Sequence, residues 1–385
     1  MGKRANGEGT VYQRKDGRWV ASIVLENGKR RSLYCKTQRE AIKEVQQANL
    51  AKDQGTLMMT EDQTVSAFLT SWLHETARPN VRERTYERYR DLIELHILPT
   101  LGQVKLRKIA PQQLQRLYNQ KLAEGYAPQT VKHIHRVFHR ALRDAVRWQL
   151  VARNICDAVD APRVPKREMQ ALSSEQAQQF LEAAHGDPLE ALYVLALTTG
   201  MRQGELLGLR WEDLDLVRGT VQVRRTIVRL PRKGFVVSEP KTPKSRRKIH
   251  LTQLAVEALT HHRLRQHEAR LAVGPAWDEQ GWVFCNTVGR PIEVGNMIRR
   301  SFRLILGKAG LPMMTFHQLR HSAASLLLAM GVHPKIVQER LGHSQIMVTL
   351  DTYSHVLPSL QEEAAQRLDQ LLSPRTPASE RIERG

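Results

Sequence analysis

The sequence predicts a multidomain α+β chain. A small three-stranded sheet plus one helix comes first, then a helical domain, then a mixed, mainly α domain holding a small antiparallel sheet. Three observations predict this order. Strand-like segments and turn signals crowd the first 53 residues. Helical periodicity without strand signals runs from Val65 to about Leu150. Beyond a proline-broken basic linker, APRVPKRE at 161–168, helical segments enclose a short run of strands. A chain of 385 residues is long enough for two or three domains with cores of their own.

The first unit spans 1–57. TVYQR, RWVASIVL and KRRSLYC read as strands, separated by the turn signals Lys15-Asp16-Gly17 and Glu26-Asn27-Gly28. Thr37 with Glu40 three residues on is a capping box, so a helix starts near Gln38. Residues 1–60 hold 12 Lys and Arg against 6 Asp and Glu. A basic sheet exposing Arg18 and Trp19 would suit a DNA groove; equally, Trp19 would serve as the core of so small a unit. Residues 57–64 read as a linker.

The second unit, 64–161, is helical. Phe68, Trp72 and Leu73 recur at helical spacing, and Pro111, Gly125 and Pro128 punctuate. In TVKHIHRVFHRALRDAVRW, Val131, Ile134, Phe138, Ala141 and Ala145 form an apolar face. Arg136, Arg140, Arg143 and Arg147, spaced 4, 3 and 4, form a basic stripe that suits phosphate contact or a solvated surface. The third unit, 167–372, opens with SSEQAQQFLEAA, capped at Ser174, and PLEALYVLALTTG, ended by Gly200. Strands follow in GTVQVRRTIV, GFVVSEP and SRRKIHL, with Lys241 at a hairpin tip between the last two. From about Val294 to Leu372 the pattern is mostly helical. The tail, 373–385, lacks apolar anchors and reads as disordered.

Charge narrows the partners. Lys and Arg total 59 against 39 Asp and Glu, a net charge of +20 and a pI near 10.2. Such a field attracts polyanions. Nucleic acid is favoured over membrane, because no basic helix with a strong apolar face stands out and no segment approaches the roughly 18 apolar residues of a spanning helix. Cys35, Cys156 and Cys285 lie far apart, which argues against a disulfide framework or a zinc site and fits a reducing compartment. The N-terminal MGKRANGEGT has no apolar signal core. The expected location is the cytoplasm, on nucleic acid.

HQLRH, His317 to His321, is one letter from the zinc-protease HExxH. Gln318 cannot act as the general base, and Arg320 would oppose a metal. The stretch reads better as an anion site: His317 and Arg320 share a helix face, and a guanidinium fork fits two phosphate oxygens. TGMRQGELLGLRW adds Arg202, with Glu205 placed to hold it. EPKTPKSRRKIHL adds Lys241, and RLGHSQ adds His343 after Gly342, a helix C-cap. Tyr353 stands in TLDTYSHV, ten residues after His343. With a pKa of about 10, roughly one phenol in a thousand is ionised at neutral pH, so a reactive Tyr353 needs cationic company and a proton acceptor.

Together, TGMRQGEL, EPKTPKSRRKIHL, TFHQLRHSAASLLLAMGV and VQERLGHSQIMVTLDTYSH resemble, in order and spacing, the tyrosine recombinases of the phage-integrase family. The chain before them is similar to the longer, lambda-type members. The resemblance implies an arm-type DNA-binding domain at 1–57, a helical, SAM-like core-binding domain at 64–161 and a catalytic domain at 167–372. One departure is Asn154-Ile155, where members often read Asn-Pro.

The resemblance also implies roles. Arg202 and Arg320 clamp the scissile phosphate, with Glu205 behind Arg202. Lys241 protonates the leaving 5′ oxygen, His317 is the general base, His343 hydrogen-bonds the phosphate and Tyr353 is the nucleophile. Two guanidiniums would neutralise the diester and stabilise the charge gained in the pentavalent transition state. Because a 3′-phosphotyrosine keeps the bond energy, neither metal nor ATP is expected. The implied partners are double-stranded DNA with core and arm sites, three further copies in a tetramer on DNA, and a DNA-bending or directionality factor. The segment SLQEEAAQRLDQLL, 359–372, has apolar residues at helical spacing that suit packing on a neighbouring subunit, the alternative being its own domain. The implied function is site-specific integration or excision of a phage or other mobile element. The alternatives are a type IB topoisomerase with the same chemistry, or a DNA-binding regulator that does not cleave.

Overall fold

The computed structural model describes residues 9–24, 30–53, 63–165, 170–239 and 246–342, together with 365, 368, 369 and 372. The chain divides into two compact units, 1–166 and 167–385, each taken by itself below.

In the first unit, Thr10–Gln13 (β1), Trp19–Val24 (β2) and Arg30–Cys35 (β3) form an antiparallel sheet in the order β1-β2-β3. Gly17, at φ +82, makes the first turn. The helix Gln38–Asp53 (α1) begins where Thr37 and Glu40 cap each other, backbone N–H to side-chain oxygen at 3.3 Å in both directions. The pleat separates two faces. Val11, Ala21 and Leu33 are in register on one, where Ala21 and the α1 residue Ala41 are fully buried. Tyr12, Val20 and Tyr34 are in register on the other, with both tyrosines about half exposed.

The helical part of this unit starts with Val65–Ser71 (α2), which passes through a π turn, Trp72–Ala77, into Arg78–Asn80 (α3). Glu83–Leu92 (α4) likewise passes through Ile93–Ile97 into Leu98–Leu101 (α5). Each π turn ends two positions before a proline, Pro79 or Pro99. A proline has no N–H for the ladder and crowds the carbonyl four residues back, and widening the turn before it relieves both. Pro111–Ala123 (α6) and Pro128–Arg147 (α7) start with proline at the first helical position, where its missing N–H costs nothing. The apolar face of α7 is buried at Val131, Ile134, Phe138, Ala141 and Ala145, together with Phe68, Leu69 and Trp72. Within this core the Trp72 indole N–H donates to Asp144 at 2.8 Å.

The second unit opens with Ser174–Ala184 (α8). Its N-cap is Ser173, not Ser174: Ser173 Oγ accepts from the Gln176 N–H at 3.2 Å, and the Gln176 side chain accepts from the Ser173 N–H. A partner three residues on decides between the adjacent serines. Glu190–Thr199 (α9) is buried almost throughout, and Gln203–Leu207 (α10) follows it directly. Leu214–Asp215 (β4), Thr220–Val223 (β5), Thr226–Leu230 (β6), Gly234–Ser238 (β7) and Arg247–His250 (β8) form two sheets, β4-β5-β8 and β6-β7. This corrects the expected hairpin around Lys241. The strands on either side of that segment pair with different neighbours, β7 with β6 and β8 with β5. The reason is burial: Val221 and Ile249 are opposed in register, and both join the domain core.

Gln253–Val273 (α11) follows, then Val294–Met297 (α12), which passes through a π turn into Arg303–Lys308 (α13). Phe316–Ala329 (α14) and Pro334–Leu341 (α15) end the continuously described chain. The 57–64 linker (up to residue 62), most of 359–372 and the 373–385 tail lie outside the described residues. No described helix is long and apolar enough to cross a membrane.

Candidate active site

Four helix ends and one strand converge in the second unit. Gly200 ends α9 in the left-handed region at φ +63, as a C-cap glycine does. The turn that follows delivers Arg202 to the N-terminus of α10, where Glu205 accepts from the Arg202 backbone N–H at 3.0 Å and from its guanidinium at 2.7 Å. Glu205 is 3% exposed and Arg202 38%, so the guanidinium is backed by a buried carboxylate and open in front. On α14, Arg320 is buried and donates to the Gly200 carbonyl at 2.6 Å. The same helix carries His317 one turn earlier. Its start is set by Thr315 and Gln318, which cap each other, so Gln318 has a local structural task.

The helix α15 ends at Gly342, again left-handed at φ +69. The Gly342 carbonyl accepts from Arg202 at 3.1 Å, and Arg340 donates to the Thr198 carbonyl at 2.7 Å. The next residue in the chain is His343. Lys241, His343 and Tyr353 lie outside the described residues. Of the expected constellation, Arg202, Glu205, His317 and Arg320 therefore have a described geometry, and they fall in one place.

The electrostatics of that place are cationic. Burial pulls the His317 pKa below its ordinary 6.5, and the Arg320 and Arg202 charges lower it further. The residue as a whole is exposed at the surface, and the His321 ring stands edge-on to its imidazole at 4.9 Å. His321 is driven down to about 4, first by burial and then by His317 and Arg320. Both imidazoles are thus neutral at pH 7, and His317 is able to accept a proton. Burial would raise Glu205, but the adjacent Arg247 and Arg202 charges outweigh it and hold the carboxyl below its ordinary 4.5. No described group of three or more His, Cys, Asp or Glu side chains is arranged to hold a metal ion.

Arg247 is the residue that motif reading missed. It is 7% exposed on β8 and donates to Glu205 at 2.9 Å and to the Arg340 carbonyl at 2.6 Å. Its signal in the sequence was period 2: Arg247 and Ile249 alternate with Lys248 and His250, and the first pair is buried, the second exposed.

The expected DNA-contacting residues divide. Trp19 is in register with Cys35, which stands beside Glu44 and Glu40 of α1, so the indole lies on the helix side of its sheet and is half-buried. The open side carries Tyr12 and Tyr34, with the Arg14 and Arg18 guanidiniums 5.6 and 5.8 Å from the centre of the Tyr34 ring. Arg18 is exposed and also pairs with Asp16 at 3.0 Å. The α7 stripe is uneven. Arg136 and Arg143 are exposed, Arg140 is half-buried and donates to the Tyr89 hydroxyl at 3.0 Å, and Arg147 pairs with Asp144 at 3.3 Å.

Comparison with known proteins agrees with this geometry. Residues 170–359 match the model of the phage integrase family, and residues 64–122 match its N-terminal SAM-like domain. The chain is 32% identical over 366 residues to a tyrosine recombinase XerC-like protein of Caldanaerobacter subterraneus, covering 90% of this chain and 93% of the relative. It is 31% identical over 379 residues to an integrase of Streptomyces ambofaciens, covering 94% and 96%. Among solved structures, the Tn1549 transposon integrase in complex with transposon right end DNA is similar with a TM-score of 0.64 at 23% identity, over 81% of this chain and 100% of that one. A lambda integrase dimer bound to a COC' core site is similar with a TM-score of 0.54 at 20% identity, over 91% and 96%. Two arginines and a neutral histidine gathered at one anion-seeking surface, in a chain matching these relatives along nearly its whole length, are the mark of one enzyme class: the chain belongs to the phage integrase family and is a tyrosine-type site-specific recombinase.

Proposed function

We propose that this recombinase cuts and rejoins DNA through a 3′-phosphotyrosine on Tyr353 and so integrates and excises a mobile element. The Tyr353 oxygen attacks the phosphorus and the bond to the 5′ oxygen breaks. His317 takes the phenolic proton, and Lys241 supplies one to the leaving 5′ oxygen. Arg202 and Arg320 hold the non-bridging oxygens, joined by His343. The 5′-hydroxyl of a second strand reverses the step, which makes the outcome strand exchange. The diester linkage is conserved throughout, so the scheme calls on neither metal nor ATP.

One observation carries the reading. Arg202, open in front and fixed behind by Glu205, shares its neighbourhood with Arg320 and a neutral His317. That combination suits a dianionic transition state and an ionising phenol together. Four sites are needed to exchange two duplexes, so the working form is a homotetramer on core DNA, with 359–372 packing on a neighbouring copy. The sheet of 1–57 binds separate arm sites, and a bending or directionality factor assists. The setting is the host cytoplasm. Relatives include integrases and a transposase of transposon Tn1545, in keeping with a mobile element.

The test is covalent trapping in EDTA. A labelled duplex spanning the element's junction, nicked beside the cleavage position, is mixed with protein and denatured. Label should remain on the wild type and be absent from Tyr353→Phe. Tight binding with no adduct would overturn the reading in favour of a non-cleaving regulator. Joining of two duplexes then separates recombinase from topoisomerase.

A further inference from the structure

We infer that Arg247 is a positioning residue for strand cleavage: it shares the Glu205 carboxylate with Arg202, so that the Arg202 charge stays available to the phosphate, and it ties the end of α15 to β8. The inference rests on the proposed reading of Arg202 as a phosphate clamp.

The geometry is specific. Glu205 Oε1 receives the Arg202 guanidinium, and Oε2 receives both the Arg202 backbone N–H and Arg247 Nη2. One carboxylate thus serves two guanidiniums, and the trio keeps a net positive charge. With Arg247 absent, Glu205 would face Arg202 alone and cancel most of its field at short range in a poorly solvated site. The other end of Arg247 donates through Nε to the Arg340 carbonyl in the last turn of α15. That turn also presents the Gly342 carbonyl to Arg202. Cations at a helix C-terminus meet unpaired carbonyls and the negative end of the helix dipole. His343 and Tyr353 follow this helix end in sequence, and Lys241 precedes β8. Arg247 therefore ties together two described elements, β8 and the end of α15, that adjoin Lys241 and His343 in sequence, without itself being a proposed catalytic group.

A residue that merely braced the fold would depress every substrate's cleavage alike. A residue that keeps Arg202 charged toward the phosphate would matter less when the phosphate has no charge to neutralise. The experiment compares wild type, Arg247→Met and Arg247→Lys on two nicked duplexes, one with an ordinary scissile phosphodiester and one with a neutral methylphosphonate there. DNA binding and thermal unfolding are measured in parallel. Arg247→Met should bind the ordinary duplex within about threefold of wild type and form the covalent adduct about 100-fold more slowly, the scale seen when a positioning contact is lost. Its deficit should shrink at least about tenfold on the methylphosphonate, by the magnitude expected for losing one charge-stabilising contact. Arg247→Lys, which keeps the charge but not the fork, should fall between, and it carries the test if the Met variant fails to fold. Equal deficits on both duplexes, or loss of binding in step with cleavage, would overturn the inference. Wild-type adduct formation dependent on Tyr353 and on Arg202 stands as the separate check on the underlying reading.

Discussion

His317 shows how much of this chemistry is decided by one side chain's surroundings. An imidazole in water is half protonated near pH 6.5 and would be a poor base just below it. Here burial and the Arg320 and Arg202 charges all disfavour the imidazolium, so the folded pKa lies under 6.5. The sign follows: the neutral, proton-accepting form persists as pH falls through 6.5 and is lost only below the depressed value. Second-order cleavage at subsaturating DNA reports the free enzyme's groups. It should stay level from pH 8 to below 6.5 and then drop, and His317→Asn should lower the plateau by about 100-fold or more and abolish the acid limb. A midpoint at or above 6.5 in the wild type, or an unchanged limb in the variant, would remove His317 from the role of base. The same depression stabilises the fold above pH 6.5 and ceases to do so as the pH falls through the folded value. The residue types of this site were readable from four short motifs. Arg247 belongs to none of them: its period-2 alternation with Ile249 marks a buried face over only four residues and does not say that a carboxylate stands on that face.

Elements were legible where their signals are local. The Thr37–Glu40 box opens α1, and Gly200 and Gly342 close α9 and α15, because caps are settled within a few residues. The pairing of β8 with β5 in place of β7 was illegible, since it depends on Val221 meeting Ile249, 28 positions further along the chain. The side of the first sheet taken by Trp19 depended on where α1 lands. Gly342 joins element and site. Its φ of +69 suits glycine, and a Cβ there would meet Arg247 Nη1 at 2.9 Å and Cζ at 3.1 Å. Gly342→Ala should therefore cost about 1–2 kcal/mol from the left-handed backbone alone. By displacing the Arg247 guanidinium it should also slow adduct formation more than that loss of stability accounts for. Thermal melts and trapping rates on one preparation give both quantities. A destabilised variant with wild-type cleavage at a temperature where it remains folded would show that the end of α15 does not govern the chemistry.

Across the whole molecule, the net charge of +20 is spread over segments with different tasks. The two family matches cover 64–122 and 170–359 and leave out the first 57 residues, while the gathered Arg202, His317 and Arg320 all lie in the second unit. The first sheet instead offers Arg14 and Arg18 beside Tyr34, with Tyr12 also exposed on that face, a surface of cations and aromatic faces able to meet a groove. Cleavage of a core duplex should then be separable from the charge-driven hold on longer DNA. A protein lacking residues 1–57 should trap on the nicked duplex within about threefold of the full chain, a margin too small to implicate a lost catalytic contact. On long DNA its binding should depend less steeply on salt, the slope of log K against log salt falling by about 0.9 for each phosphate contact removed. Within the full chain, Arg14→Ala and Arg18→Ala should reproduce part of that fall and leave trapping untouched. Trp19→Phe, a change on the α1 side of the sheet, should leave the slope alone. If truncation instead abolishes trapping while the slope is unchanged, the first unit belongs to the cleavage machinery and the division of labour drawn here is wrong.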